Sequence, residues 1–224
     1  GDLVHVFNRG VDKRKIFLDN HDYQRFVDNL FLLNNVSGKI RTERKSVFDG
    51  PELMRNKLVE ILKWSLLPNH YHLLLYEREE GGIVEFTKRL GNAYTKYFNL
   101  KNEGRSGYLF QNSAKIVPIL DNSQFLYIPF YIDLNCLSLR FPDWKSKSVG
   151  DATRALEFLR INKWSSYRDY FGSKPSIHEN IINQELFYNL FDTNIKEYEK
   201  ELLTFLKGTH PSTWQVDGWV HEFE

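Results

Sequence analysis

Cysteine is almost missing from this chain: Cys136 is the only one, so neither an intramolecular disulfide nor a cysteine-based zinc site can form. A reducing cytoplasm is the expected home. No apolar run approaches the length needed to cross a membrane, and no signal-peptide pattern is visible, so a soluble protein without a membrane partner is expected. Met54 is the lone methionine, which implies that Gly1 is not an original translation start. Internal repeats and glycine loops that would cradle phosphates are also lacking.

Aromatic residues are plentiful instead. They make up 15% of the 224 residues, within a hydrophobic total of 42%, enough to exclude a disordered chain and to bury a sizeable core. The net charge of +1 conceals an asymmetry: residues 179–224 carry nine acidic and three basic side chains, leaving residues 1–178 with 27 basic against 20 acidic. A polyanion would therefore meet the first part of the chain.

Residues 3–8 alternate in polarity and stop at Arg9-Gly10, the pattern of a short strand. Asp19 to Asp22 can cap a helix in which Tyr23, Phe26, Val27, Leu30 and Phe31 recur at helical spacing. Residues 34–56 show no period and are expected to form a long loop, with Arg41, Arg44 and Lys45 as a DNA-contacting arm. Leu58–Leu67 and His70–Tyr76 predict two antiparallel strands joined by Pro68-Asn69, Ile83–Leu100 a second helix, and Lys115–Leu120 a fourth strand. Strand-helix-strand-strand-helix-strand is the order of a ferredoxin-like α+β sandwich, with its helices on one face of an antiparallel sheet.

Within the third strand, His70 and His72 fall on one face because alternate residues of a strand point the same way. A bound cation or a phosphate oxygen would satisfy such a pair, although two ordinary hydrogen-bonded histidines are the commoner outcome of a His-x-His. Asp121-Asn122-Ser123 can cap a further helix, running to about Asn135, on which Tyr127, Tyr131 and Asn135 share a stripe. Core packing is the plain explanation of that stripe. Pro129 lies inside this helix and is expected to kink it.

Several stretches in order resemble one known family: Val4-His5-Val6-Phe7-Asn8-Arg9-Gly10, Pro68-Asn69-His70-Tyr71-His72, Arg89 to Asn99, Gly107 to Gln111, Tyr131-Ile132-Asp133-Leu134-Asn135, and Trp164 to Tyr170. The chain is similar to the single-tyrosine HUH nucleases, in the branch called REP-associated tyrosine transposases. The resemblance implies a ferredoxin-like nuclease core over residues 1–141 and a helical extension over 142–224. It also implies Tyr131 as nucleophile, with Tyr127 in reserve, and His70, His72 and Asn135 as ligands of Mg²⁺ or Mn²⁺. The implied activity is cleavage and rejoining of single-stranded or hairpin DNA through a covalent 5′-phosphotyrosine, with a homodimer as one arrangement. Asp133 and Cys136 stand where relatives carry histidine and proline.

Arg9, Lys13, Arg14, Lys88, Arg89, Lys96 and Lys115 are the candidate DNA contacts. Rival expectations are a DNA-binding protein of this fold that has lost strand transfer, a metal-dependent hydrolase that uses water, and a ferredoxin-like RNA-binding module. From Lys145 to Gly150 the composition suggests a linker. The aromatics of Trp164–Tyr170 are expected to pack on the core, with stacking on unpaired bases as the alternative. Ile181–Leu206 reads as one helix with an acidic face, and Trp214 and Trp219 as anchors of the terminus.

Overall fold

In the computed structural model, residues 1–37, 56–146, 149–172 and 179–208 are described. Arg41, Arg44, Lys45, Trp214 and Trp219 lie outside these residues.

Four strands form one antiparallel sheet: β1 (Leu3–Arg9), β2 (Val59–Leu67), β3 (His70–Glu77) and β4 (Lys115–Pro118), in the order β2-β3-β1-β4. That order, with helices α1 (Asn20–Leu32) and α2 (Gly82–Lys101) in the two crossovers, is the ferredoxin-like arrangement that the pattern predicts. Asp19 caps α1 by accepting hydrogen bonds from the backbone N–H groups of His21 and Asp22. Gly81, at φ 72°, turns the chain into α2. A Cβ on Gly82 would lie 2.4 Å from the Leu58 carbonyl oxygen, so this close approach of helix and strand needs glycine.

Helices α1 and α2 cover the sheet face that carries Val4, Val6, Tyr71 and Leu73. Phe26 of α1 packs its ring 4.8 Å from that of Tyr71, and the Tyr94 hydroxyl on α2 donates to the Ile16 carbonyl at 2.7 Å. The other face carries His5, Phe7, Lys63, Ser65 and His72, as the pairings Phe7 with His72 and Ser65 with His72 require. It is covered by α3 (Asn122–Leu134), whose residues Tyr127–Leu134 are all buried. With both faces covered, every residue of β2 is buried.

Beyond α3 come a 3₁₀ turn (Asn135–Leu139), a second one (Pro142–Ser146), α4 (Ala152–Ile161), α5 (Tyr167–Phe171), α6 (Gln184–Leu190) and α7 (Ile195–Leu206). This part of the chain closes the exposed edge of β2. The Leu66 N–H donates to the Trp164 carbonyl, the Ser166 N–H to that of Trp64, and the Asn183 N–H to that of Ile61. A sheet edge left open would invite pairing with another chain. The aromatics of Trp164–Tyr170 thus serve packing: Tyr167 and Tyr170 are buried, and Trp164 stacks 4.8 Å from Tyr23 of α1.

Two expectations need correction. The helix expected over Ile181–Leu206 breaks into α6 and α7, because Asp192 adopts φ 44° and the Asn194 side chain caps a new helix by accepting from Lys196 and Glu197 N–H groups. The stretch expected to be a linker from Lys145 begins inside the second 3₁₀ turn, Pro142–Ser146, which holds the buried Trp144. Pro129 lies inside α3, which runs from Asn122 to Leu134.

Candidate active site

β1 and β3 are neighbours in the sheet, and their register puts His5 and His72 on diagonal positions of the same face. His5 Nε2 and His72 Nδ1 are 2.9 Å apart, with the two rings nearly parallel at 13°. Both residues are fully buried. Phe7 completes this aromatic floor, 5.1 Å from the His5 ring and 5.7 Å from that of His72. His70, two residues along β3, meets the His72 ring edge-on at 5.0 Å and places its Nδ1 2.6 Å from the Asn69 Oδ1.

Helix α3 brings Tyr131 to this floor. Its ring stands edge-on to His72 at 5.4 Å and to His5 at 6.0 Å. Tyr127, one turn earlier, lies 5.9 Å from Tyr131 and 5.6 Å from Phe205 of α7, so it leans toward the C-terminal helices. Trp144 backs Tyr131 at 6.2 Å. Asn135 caps α3 one turn beyond Tyr131, giving its N–H to the Tyr131 carbonyl, and is 3% exposed.

Burial dominates the electrostatics. It pushes the His5 imidazole down to about 3 and His72 well below the usual histidine range, so both rings are neutral at physiological pH. The charges of His70, Lys145 and Arg9 push His72 the same way. Burial pushes the Tyr127 hydroxyl well above the usual tyrosine range.

A neutral His72 can bind a cation through only one nitrogen. If Nδ1 carries the proton and donates to His5, then Nε2 holds the lone pair, and the hydrogen bond fixes both tautomer and ring orientation. His72 Nε2 is buried and has no hydrogen-bond partner among the described residues, and the same is true of Asn135 Nδ2. An ion on His72 would satisfy the first of these, and His70 and Asn135 are the neighbours that would complete its ligands. No cluster of three or more His, Cys, Asp or Glu side chains arranged for a metal occurs among the described residues, so a third protein ligand would have to be a carboxamide such as Asn135.

The basic candidates fall into three groups. Arg9, opposite His70 in the β1–β3 register, and Lys115, whose Nζ lies 5.5 Å from the Phe7 ring, belong to the histidine face. Lys13 and Arg14 lie on the turn after β1, which Asn69 Nδ2 ties down by donating to the Lys13 carbonyl at 3.2 Å. Lys88 and Lys96 are exposed on α2, across the sheet from the histidines. Arg89 is held by Glu85 at 2.7 Å and by the Asn35 carbonyl at 2.6 Å.

From the sequence a structural role for His5 was favoured over one facing the active site, and Lys145 and Trp144 were missed. A tryptophan directly before a supposed linker was the available signal for Trp144, because so large an apolar side chain is rarely left in solvent.

Helix α3 is pinned beside the tyrosine by a buried ion pair. Lys63 Nζ of β2 lies 2.7 Å from Asp133 Oδ2, with both side chains fully buried, and the Tyr198 hydroxyl of α7 donates to the same oxygen at 2.7 Å. The rings of Tyr170, Tyr198 and Phe187 surround the ammonium at 4.0, 4.2 and 4.6 Å. Burial pushes the Lys63 amine down and the Asp133 carboxyl up, while each partner's charge opposes the shift.

No protein-family model matches the chain, and no curated protein matches it. Among solved structures, it is similar to one described as a REP-associated tyrosine transposase bound to a REP hairpin. Identity is 14%, coverage is 75% of this chain and 78% of that one, and the TM-score is 0.43. No helix among the described residues is long and apolar enough to cross a membrane.

Proposed function

We propose that this protein is a metal-dependent transposase or endonuclease of single-stranded DNA that works through a covalent 5′-phosphotyrosine, on hairpin-forming repeats. The observation that carries this is the edge-on placement of Tyr131 against His72 at 5.4 Å, with Asn135 one turn further along the same helix. It agrees with the motif resemblance carried by His70-Tyr71-His72 and Tyr131-Ile132-Asp133-Leu134-Asn135.

In this reading the Tyr131 phenol oxygen attacks a backbone phosphorus and forms the phosphotyrosine bond. The bond from phosphorus to the 3′ oxygen breaks, the phenol loses its proton, and the leaving 3′ oxygen takes one up. Attack by another 3′ hydroxyl reverses the step, so no nucleotide cofactor is consumed. A Mg²⁺ or Mn²⁺ ion held by His70, His72 and Asn135 would supply Lewis-acid polarisation of the scissile phosphate. Arg9, Lys115 and Lys145 would attract the DNA backbone to the histidine face.

The test is a denaturing gel of the protein incubated with Mn²⁺ and a labelled single-stranded hairpin library, beside Tyr131→Phe and Tyr127→Phe. A covalent band that disappears only with Tyr131→Phe is expected. A band that survives this change, or one lost only with Tyr127→Phe, rules out Tyr131 as nucleophile.

A second reading, a DNA-binding protein of the same fold without strand transfer, is favoured by one observation. Tyr131 and His72 are 1% and 0% exposed, so a phosphodiester could reach them only if α3 or its cover shifted. Specific binding without any covalent band would select that reading.

A further inference from the structure

A groove of about 890 Å³ opens in the helical extension, between α4 and the first turns of α7. Its size is near the upper end of small-ligand sites. Arg154, Glu157, Phe158 and Ile161 line it from α4, and their spacing puts them on one helical stripe, while Ala152, Ala155, Leu156 and Leu159 are buried. At a rise of about 1.5 Å per residue, Arg154 and Ile161 stand about 10 Å apart along that stripe. One end is cationic and the other aliphatic.

The charges of the lining do not balance. Both of its carboxylates act on Arg160: the hydrogen bond to Glu199 at 2.6 Å, and the charges of Glu199 and Glu157, raise that guanidinium above its ordinary value. Arg140, Arg154 and Lys196 line the same groove, and none of these three side chains has an ion pair or hydrogen bond among the described residues. Arg154 and Lys196 also stand in the first turns of α4 and α7, where the helix dipole disfavours a cation. An anion in the groove relieves both costs.

The remaining lining is apolar and held in place. Phe158 stands edge-on to Phe141 at 6.2 Å, and Phe171 stacks on Tyr167 at 4.4 Å. At the lip, Ile161 and Ile195 leave 71% and 42% of their surface in solvent. Covering them with an apolar group is favourable, and a bare phosphodiester strand offers none.

We propose that this groove binds a small amphipathic anion, a carboxylate or phosphate head joined to an aliphatic body. The head pairs with Arg154, whose planar fork matches either group, and Arg140 and Lys196 add positive charge around it. The body lies over Phe158 and Phe171 toward Ile161 and Ile195. Because the groove belongs to the extension, this does not depend on the reading of Tyr131.

The test is isothermal titration of the full chain with acetate, hexanoate, decanoate, inorganic phosphate, decyl phosphate and the neutral octyl glucoside. Wild type is expected to bind decanoate or decyl phosphate, according to the head the site prefers, at one site and at least tenfold more tightly than acetate, inorganic phosphate or octyl glucoside. Arg154→Glu should weaken that binding at least tenfold, and Ile161→Gln should remove most of the gain from acetate to decanoate. Lys200→Glu, the same charge change on α7 outside the groove, should stay within twofold of wild type. Glutamate suits the first turn of a helix and Ile161 is largely exposed, so the variants should fold, which thermal melting checks.

Wild type that binds none of these compounds up to about 1 mM overturns the proposal. So do short anions that bind as tightly as long ones, or a Lys200→Glu loss equal to that of Arg154→Glu, since either marks a mere patch of charge. A short oligodeoxythymidylate that binds more tightly than decyl phosphate, and is weakened by Arg154→Glu, overturns it in favour of a nucleic-acid surface.

Discussion

His5 Nε2 and His72 Nδ1 share one hydrogen bond, 2.9 Å long and wholly buried, so the state of one ring dictates the chemistry left to the other. Removing His5 should leave His72 free to rotate and to take the wrong tautomer.

His5→Ala is therefore expected to weaken Mn²⁺ binding, and the yield of covalent adduct, by about 10- to 100-fold, the usual cost of losing a partner that orients a metal-binding histidine. Isothermal titration with Mn²⁺ and the gel assay measure the two effects. Unchanged metal affinity in a folded variant would show that His72 needs no such support.

Lys63 and Asp133 form the most deeply buried ion pair described. Asp133→Leu alone strands an ammonium in an aromatic cage and should cost about 3–5 kcal/mol of stability, as Lys63→Met should by stranding the carboxylate. The double change removes both charges and should recover most of that loss. Urea unfolding of the three variants gives the coupling, and additive losses would count against it.

Burial pushes the Tyr23 hydroxyl up to about 12 and raises those of Tyr94, Tyr170 and Tyr198 further. The folded state thus holds these protons at a pH where the unfolded chain, with tyrosines near 10, has begun to lose them. Their contribution is fully present below pH 10 and is lost as the pH rises above it, at up to about 1.4 kcal/mol per pH unit for each group. The share of tyrosinate absorbance that comes from these four should accordingly appear together with loss of circular dichroism. Smooth ionisation of every tyrosine near pH 10 with the fold intact would contradict this.

The strands and the first two helices were legible in the sequence because each carries its own period, two or 3.6, and its own cap or turn residues. His70 and His72 were legible as a pair for the same reason. His5 was not, since nothing local fixes which strand lies beside β3. Lys63 was hidden more deeply: a charge in a strand suggests a solvent-facing side, and only Asp133, 70 residues later, makes its burial tolerable. The break between α6 and α7 depended on Asp192 entering the left-handed region, which an acidic helical pattern does not announce.

The cage around Lys63 sets an order of events for a chain being synthesised. A ribosome that has released the sheet and α3 has made the ammonium and its carboxylate, but α7, whose Tyr198 bonds to Asp133 across 65 residues, has still to emerge. Until it does, the strand bearing Lys63 lacks its last wall, and the half-made protein holds a charge that favours water at the centre of its future core. Contacts so distant in sequence close slowly. A nascent chain stalled before Tyr198 should therefore be a better substrate for proteases than its length alone would suggest.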